Sequence, residues 1–226
     1  MSEGNSALDG QRGSPAPGCI ILATIVIIFG GLIVLYTFVG NYQKKEISGF
    51  TEEIAAEVPE LKPTAAQSEA AMVKLRSIEI AATDQKVERV LFTAEDLNVL
   101  IATLDATKDF GGQTYIESIT AEGIVAKMAQ PIRKGIIEKG YRFLNGEFVF
   151  KPEVRARTIA FKIIAIRPAV GAVPQNFVES YATLDFFRLD PDNEAIAKNI
   201  NSIENVYTED GHVVVETRLK PRNEAE

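Results

Sequence analysis

An uncharged apolar run from Cys19 to Val39 is the feature that most constrains what this chain can fold into. Its length matches the ~20 residues that a helix needs to cross the hydrocarbon core of a bilayer. The run is longer than the apolar core of a signal peptide, and no small-residue cleavage motif follows it. We therefore expect a single-pass transmembrane helix over residues 19–40, which contacts the lipid bilayer through residues 19–39.

The segment before this helix is expected to be a disordered tail. Residues 1–18 are rich in Ser, Gly and Pro and poor in apolar side chains. Cys19 is the single cysteine of the chain, so no disulfide framework is predicted. A lipoprotein signal would place an apolar stretch before the cysteine, whereas Ser14 to Pro17 precede it here. Cys19 is therefore interpreted as a small helix residue at the membrane edge.

The part of the chain after the apolar run is acidic. It contains all of the 24 basic residues except Arg12, and all of the 31 acidic residues except Glu3 and Asp9. Nucleic-acid binding requires concentrated Lys and Arg, so DNA and RNA are excluded as partners. Lys44 and Lys45 are the only basic residues expected to favour anionic lipid headgroups.

Three further segments are predicted after the membrane helix. Residues 41–63 are predicted to form a juxtamembrane linker, with a helix through Phe50–Val58. Residues 64–220 are assigned to one α+β domain and residues 221–226 to a disordered tail. The domain begins with an Ala-rich helix over 64–82, which is predicted from the helical spacing of Ala66, Ala70, Val73 and Ser77 and is packed on the domain or stacked above the anchor.

The next elements follow from local signals. Val90 to Phe92 predict a short strand, and Thr93 followed by Asp96 is typical of a capping box. A helix is then expected through Leu97, Leu100, Ile101 and Leu104. A strand around 115–119 is predicted to pair with residues 123–128.

The segment 139–167 contains the strongest apolar pattern of the domain. Asn145-Gly146 between apolar runs favours a type I′ hairpin turn. With those two residues as the loop, Phe143 pairs with Phe148 and Tyr141 pairs with Phe150. All four rings would then lie on one face of an antiparallel sheet, and Ile159, Phe161 and Ile163 would add a third apolar row.

The C-terminal part supplies helices and a second hairpin. Pro174 is expected to open a helix with an apolar stripe that covers the aromatic face. The members of that stripe are Phe177, Val178, Tyr181, Leu184 and Phe187. A short helix after Asp190 and a hairpin at Asp210-Gly211 follow. The predicted fold class is thus α+β, a curved antiparallel sheet with helices on one side.

The aromatic face has two interpretations. It is either a packed core beneath a helix, or an incompletely filled groove that accepts an acyl chain or another apolar ligand. The candidate ligand face consists of Tyr141, Phe143, Phe148, Phe150, Phe161, Ile163, Phe177 and Tyr181. The sequence alone leaves both alternatives open.

No catalytic or metal-binding pattern stands out in the sequence. His212 is the single histidine and lies in a predicted turn, where a general base would lack an oriented partner. The acidic run from Asp190 departs from a calcium loop, because Ala195 replaces the required glycine and Asn201 replaces the bidentate glutamate. We therefore expect a protein that is not an enzyme and that needs no cofactor.

The order of features resembles a known family. FTAEDLNVLIATL, GYRFLNGEFVF, the loop ending VGAVP and SIENVYTEDGHVVV are similar to segments of membrane-anchored bacterial proteins of the YpmS-like family and its tubular-lipid-binding-like relatives. The resemblance covers about residues 90–218. It implies an extracytoplasmic domain that binds lipid, and it carries over no catalytic residue.

The sequence gives two opposing indications of the side of the membrane on which the domain lies. Lys44 and Lys45 favour a cytoplasmic domain under the positive-inside rule, but long domains cross membranes largely regardless of flanking charge. With the resemblance, we expect the domain on the extracytoplasmic side. The expected function is binding of lipid or another apolar ligand at the cell envelope. The alternative is an assembly subunit that binds an envelope protein partner and no small molecule.

Overall fold

The computed structural model describes residues 16–134, 138–155, 158–182 and 202–219. Four α-helices lie in this part of the chain, and their bounds are Ala16–Ser48 (α1), Ala65–Asp84 (α2), Ala94–Thr103 (α3) and Gln175–Ala182 (α4). A 3-10 helix covers Asp105–Phe110. The seven described strands are Arg89–Phe92 (β1), Thr114–Ile119 (β2), Ile124–Arg133 (β3), Tyr141–Arg155 (β4), Thr158–Pro168 (β5), Ile203–Glu209 (β6) and His212–Thr217 (β7).

The class is α+β, as predicted, but the strands form two antiparallel sheets rather than one. The larger sheet has the order β2-β3-β4-β5, and the smaller has the order β1-β7-β6. Strand β1 comes early in the chain and pairs with β7 near its end, from Arg89 opposite Glu216 to Phe92 opposite Val213. One hydrophobic core joins the sheets to the helices, from Phe50 and Ala71 to Phe148 and Val215.

Helix α1 contains the apolar run and extends beyond it. Among the described residues, no helix combines the length and the apolarity needed to cross a membrane. The described apolar side chains of α1 from Ile27 to Val39 are exposed, and Ile27 and Phe38 reach 72% and 68% exposure. The helix continues past Lys45 and ends at Ser48, where the chain turns into the domain.

Helices α2 and α3 both begin with capping boxes. The predicted box on α3 is confirmed: the Thr93 amide donates to Asp96 Oδ2 at 2.7 Å, and the Asp96 amide donates to Thr93 Oγ1 at 3.1 Å. Thr64 and Gln67 form an equivalent box on α2. These paired hydrogen bonds satisfy amides that a helix leaves unpaired at its start, so both helices begin at a residue that the sequence determines.

The helix predicted over 64–82 is confirmed as α2, but the residues whose spacing predicted it do not form its buried face. Ala66 and Ala70 are exposed, and Val73 is 52% exposed, whereas Ala71, Ile78 and Ala81 are buried. The Ala-rich sequence places small apolar residues on every side of the helix. Met72 and Leu75 pack against the core on the side of Ile78, and burial of these larger side chains contributes more than burial of alanine.

The hairpin predicted at Asn145-Gly146 is also wrong. Strand β4 passes through both residues without a turn. It pairs with β3 continuously from Tyr141 opposite Arg133 to Phe150 opposite Ile124. Asn145 is not among the described residues with a positive φ angle, which a type I′ turn requires. Pairing on both sides therefore overrides the local turn preference.

Gly146 is needed for the approach of β5. It lies opposite Met128 of β3 and Pro168 of β5. A Cβ atom at this position would overlap the carbonyl oxygen of Arg167 and lie 2.8 Å from Pro168 Cα. Glycine therefore allows close strand packing here, and it does not form a turn.

The second predicted hairpin is confirmed. Strands β6 and β7 pair from Glu209 opposite His212 back to Ile203 opposite Thr217. Asp210 and Gly211 have φ angles of 46° and 77°, as a type I′ turn requires. The predicted strand over 115–119 and its partner are confirmed as β2 and β3.

Several predicted features lie outside the described residues or have no counterpart. Leu184, Phe187, the short helix after Asp190 and the two terminal tails are outside the described part, apart from the helical residues Ala16 to Gly18. The helix predicted over 50–58 is wrong, because this stretch is extended and pairs with β4 through Glu52 and Phe143.

We predict that Gly146→Ala lowers the free energy of unfolding by about 1–3 kcal/mol, because the added methyl group displaces β5. Thermal unfolding of the full chain in a fixed detergent, followed by circular dichroism, measures the effect. Gly31→Ala is the control, since a Cβ there meets no described atom within 4 Å. A Gly146→Ala variant as stable as the parent protein would contradict the strand pairing.

Candidate functional site

The continuous course of β4 separates the rings that were predicted to share one face. Side chains alternate along a strand, so Tyr141 and Phe143 point to the side opposite Phe148 and Phe150. Phe148 and Phe150 stack at a centroid distance of 6.3 Å and are 0% and 2% exposed. Tyr141 is 55% exposed. The geometric prediction of four rings on one face is therefore wrong.

The remaining members of the predicted ligand face lie in or at the edge of the core. Ile163 is 1% exposed, and Phe161 and Phe177 pack against the core as partly buried residues. Phe177 of α4 meets Phe50 edge to face, with centroids 4.9 Å apart. The side chain of Tyr181 lies outside the described part. Phe148 and Phe150 thus lie together with Ile163, which is opposite Phe150 in β5, whereas Tyr141 and Phe143 point to the other side of the sheet.

Residues 50–63 form an extended strap across the larger sheet. Glu52 and Phe143 exchange two backbone hydrogen bonds, with N–O distances of 2.8 and 2.7 Å. Strand β5 pairs with β4 only as far as Gly146. The strap therefore pairs with a part of the β4 edge that β5 leaves open, which protects backbone groups that an exposed edge would present.

Asn145 holds the strap through its side chain and is 3% exposed. Its amide nitrogen donates to Glu52 Oε2 at 2.7 Å and to the Ile54 carbonyl at 2.9 Å. Its Oδ1 accepts from the Ala56 amide at 2.9 Å. One buried amide thus binds three groups of a segment about 90 positions earlier in the chain.

Arg142 fixes the start of the strap. Its Nε donates to Thr51 Oγ1 at 2.7 Å, and its guanidinium donates to the Thr51 carbonyl at 2.6 Å. It also forms an ion pair with Glu53. Thr51 in turn donates to the carbonyl of Ile47 in the last turn of α1 at 2.6 Å. These contacts join the end of α1 directly to the sheet.

The second half of the strap borders a cleft of about 520 Å³. The opposite walls come from α3, the Gly111-Gly112 turn and the start of β2. The lining residues are Pro59, Glu60, Leu61, Lys62, Pro63, Asn98, Ile101, Ala102, Gly111, Gly112, Thr114 and Tyr115. Apolar surface from the strap and α3 is thus combined with two buried polar side chains, Asn98 and Thr114.

Asn98 connects α3 to β2. Its Nδ2 donates to the Ile116 carbonyl and its Oδ1 accepts from the Ile116 amide, both at 2.8 Å. Asn98 is 5% exposed, so this reciprocal pair satisfies buried groups on both partners. It fixes the distance between two walls of the cleft.

Thr114 is the unusual residue of the cleft. It is 4% exposed, and its Oγ1 is buried with no hydrogen-bond partner in the described part of the chain. A buried hydroxyl without a partner costs about 1–3 kcal/mol.

Asp96 orients the α3 wall against α2. Burial raises the pKa of Asp96, but the Lys74 ammonium and the hydrogen bonds from Thr93 outweigh this effect and bring the pKa below its ordinary value. Lys74 belongs to α2, and its Nζ lies 2.5 Å from Asp96 Oδ2. The ionised carboxylate therefore both caps α3 and joins it to α2.

Catalytic chemistry has few candidates in the described residues. No group of three or more His, Cys, Asp or Glu side chains there is placed to hold a metal ion. His212 lies at the start of β7, and its Nδ1 is 2.8 Å from the carbonyl oxygen of Asp210. The contact closes the β6–β7 turn.

Sequence reasoning did not find the cleft. Its walls come from segments that are separate in the sequence, and only the capping box gave a signal for the start of α3. The strap was interpreted as a linker because Pro59 and Pro63 interrupt it. No local pattern indicates that Asn145 binds residues 52–56.

Comparison with known proteins found no matching family model, no similar curated protein and no similar solved structure.

We predict that Asp96→Asn lowers the free energy of unfolding at neutral pH by about 1 kcal/mol, since it removes the charged cap and the partner of Lys74. The folded pKa is depressed, so this stabilisation is present above the ordinary pKa of Asp and disappears as the pH falls through the folded pKa. Unfolding measured across this acid range should therefore show the two proteins converging at low pH. Glu95→Gln is the control, because Glu95 is exposed on the same turn. A difference that is constant with pH would contradict this role of the carboxylate.

Proposed function

We propose that this chain is a membrane-anchored binding protein without catalytic activity, and that its domain binds a small amphiphilic ligand in the cleft beside α3. The observation that carries the proposal is the cleft itself, in which the apolar side chains of Pro59, Leu61 and Ile101 lie beside the buried polar residues Asn98 and Thr114. The volume of about 520 Å³ falls within the roughly 300–1,000 Å³ of typical ligand pockets.

The walls indicate the chemistry of this ligand. Pro59, Leu61 and Ile101 favour an apolar body. A charged group beside Thr114 would be desolvated without an opposite charge, which is costly. Glu60 and Lys62 are exposed at the outer wall, where charges remain in water. A lipid fragment or a similar amphiphile meets these conditions.

The membrane anchor in this proposal is the run from Cys19 to Val39. Two observations support it: the absence of charge over the run, and the exposure of its described apolar side chains, such as Phe29 at 62% and Val34 at 67%. Leaving such side chains in water costs about 1.5–3 kcal/mol each, and lipid removes that cost. The resemblance to membrane-anchored bacterial proteins supports an extracytoplasmic domain.

The attachment of α1 to the domain favours a second candidate, an assembly subunit that binds an envelope protein. Phe50 enters the core directly after α1 and is 2% exposed. A Cβ on Gly171 would overlap the carbonyl oxygen of Gly49, so the turn after α1 packs closely on the loop before α4. A rigid joint of this kind would hold the domain at a fixed angle to the anchor for a partner.

Native mass spectrometry of the full chain, released from its own membranes in a mild detergent, tests the ligand. We expect a discrete added mass that Ala102→Trp removes, because the indole fills the cleft. Ala70→Trp is the matched control, since Ala70 is also an exposed helix alanine and does not line the cleft.

Either of two results would contradict ligand binding at the cleft. One is a clean protein mass under conditions that retain bound detergent or lipid. The other is an added mass that survives Ala102→Trp unchanged. Both results would leave the assembly subunit as the better candidate.

A further inference from the structure

The end of α1 lies beside one end of the larger sheet. Lys44 Nζ is 2.7 Å from Glu138 Oε2, although the two residues are far apart in the sequence. Glu138 lies three residues before the start of β4, and Arg133 ends β3 opposite Tyr141. Folding therefore brings the β3–β4 end of the sheet to the residues that follow the apolar run.

This juxtaposition gathers basic residues, which we call the basic rim. Its members are Lys44, Lys45, Arg133, Lys134, Lys139 and Arg142. They outnumber the nearby carboxylates Glu46, Glu52, Glu53 and Glu138. The sequence as a whole carries a net charge of −7, so the rim is a positive end on an acidic protein.

Part of the basic rim has no internal partner. Lys134 and Arg142 share Glu53, and Lys44 pairs with Glu138. The Lys134 ammonium lowers the pKa of Glu53, and the Lys44 ammonium lowers that of Glu138, so both carboxylates stay ionised. Lys45, Arg133 and Lys139 are exposed and form no ion pair within the described residues.

The basic rim lies at the depth of lipid headgroups if the apolar run crosses the bilayer. Lys44 follows Val39 by five helical residues, a rise of about 7.5 Å. The headgroup layer extends roughly 5–7.5 Å beyond the hydrocarbon core, so Lys44 lies at its outer edge. Tyr42 and Tyr141 are 61% and 55% exposed near the same level, where tyrosine is favoured in membrane proteins.

We propose that the basic rim binds the phosphate groups of anionic phospholipids on the leaflet where α1 leaves the membrane. The binding holds the domain upright, with the β3–β4 end of the sheet against the lipid surface. The acidic remainder of the domain is repelled by the same surface, which favours this one orientation. The inference rests on the proposed anchor and is independent of the cleft.

Because the chain contains no tryptophan, the fluorescence of a single introduced indole comes from one known position. Tyr141→Trp gives the full chain one indole at the basic rim. The protein is reconstituted in phosphatidylcholine vesicles with and without phosphatidylglycerol, and quenching by lipids brominated near the headgroup is measured. We expect quenching that increases with phosphatidylglycerol and weakens with salt, as for a charged surface contact.

Glu122→Trp is the positional control. Glu122 is exposed in the β2–β3 turn, at the other end of the same sheet. Tyr141 and Phe150 mark the two ends of the β3–β4 pairing, and nine residues of strand separate them by about 30 Å. This indole should show no quenching in either vesicle. Equal quenching at both positions would overturn the proposed orientation.

Charge reversal tests the basic rim itself. Arg133→Glu with Lys139→Glu, in the Tyr141→Trp background, should abolish the phosphatidylglycerol dependence, because each basic residue near an anionic surface contributes about a fivefold preference. Lys151→Glu with Lys162→Glu is the matched control, since both lysines are exposed and paired opposite each other toward the other end of the sheet. If the control pair has the same effect, binding depends on the total charge of the domain and not on the basic rim, and the proposal is wrong.

Phe29→Trp separates this proposal from the anchor. Phe29 lies in the middle of the apolar run and should be quenched in both vesicles by lipids brominated deep in the chain. Quenching at Phe29→Trp without any at Tyr141→Trp overturns the basic rim and leaves the anchor intact. No quenching at Phe29→Trp would overturn the anchor and the basic rim together.

Discussion

The rest of this structure depends on the hydrogen bonds made by the buried side chain of Asn145. The side-chain amide of Asn145 binds Glu52, Ile54 and Ala56. The backbone carbonyl of Asn145 accepts from the amide of Ala169 at 2.7 Å. Through these contacts, the strap after α1, the strand β4 and the loop after β5 are joined at one residue. A buried polar network stabilises a fold only when all of its groups are hydrogen-bonded, so this position requires a side chain that satisfies every one of these partners.

The fixed strap determines both proposed sites. Its first half, with Thr51 and Glu53, positions the end of α1 against Arg142 and so assembles the basic rim. Its second half, from Pro59 to Pro63, forms one wall of the cleft. A flexible linker in the same place would leave the cleft open on that side and would let the domain rotate freely about the anchor.

The features that could be predicted from sequence are those that depend on neighbouring residues. The capping box at Thr93 and the turn at Asp210-Gly211 need only a few residues each, and both are confirmed. Asn145-Gly146 has the chemistry of such a turn, yet β3 and β5 pair with it on both sides and the strap binds the asparagine. The stabilisation from these long-range hydrogen bonds outweighs the preference of Asn-Gly for a turn. No sequence pattern within β4 indicates that these hydrogen bonds form.

The same reasoning explains why the sites were missed. Lys44, Arg133 and Lys139 lie in three separate segments, and only the fold places them together. The cleft likewise combines a Pro-containing segment with a helix and a turn, none of which carries a ligand motif. The predicted grouping of Tyr141 and Phe143 with Phe148 and Phe150 depended on the false turn, so the two pairs lie on opposite faces once β4 is continuous.

Amide hydrogen exchange of the full chain in lipid nanodiscs tests the fixed strap most directly. The amides of Glu52 and Ala56 donate to the Phe143 carbonyl and to Asn145 Oδ1. We predict exchange roughly a hundredfold or more slower than in an unstructured chain, and loss of this protection in Asn145→Ala. Exchange of both amides at the unstructured rate in the parent protein would show a free linker and contradict the account.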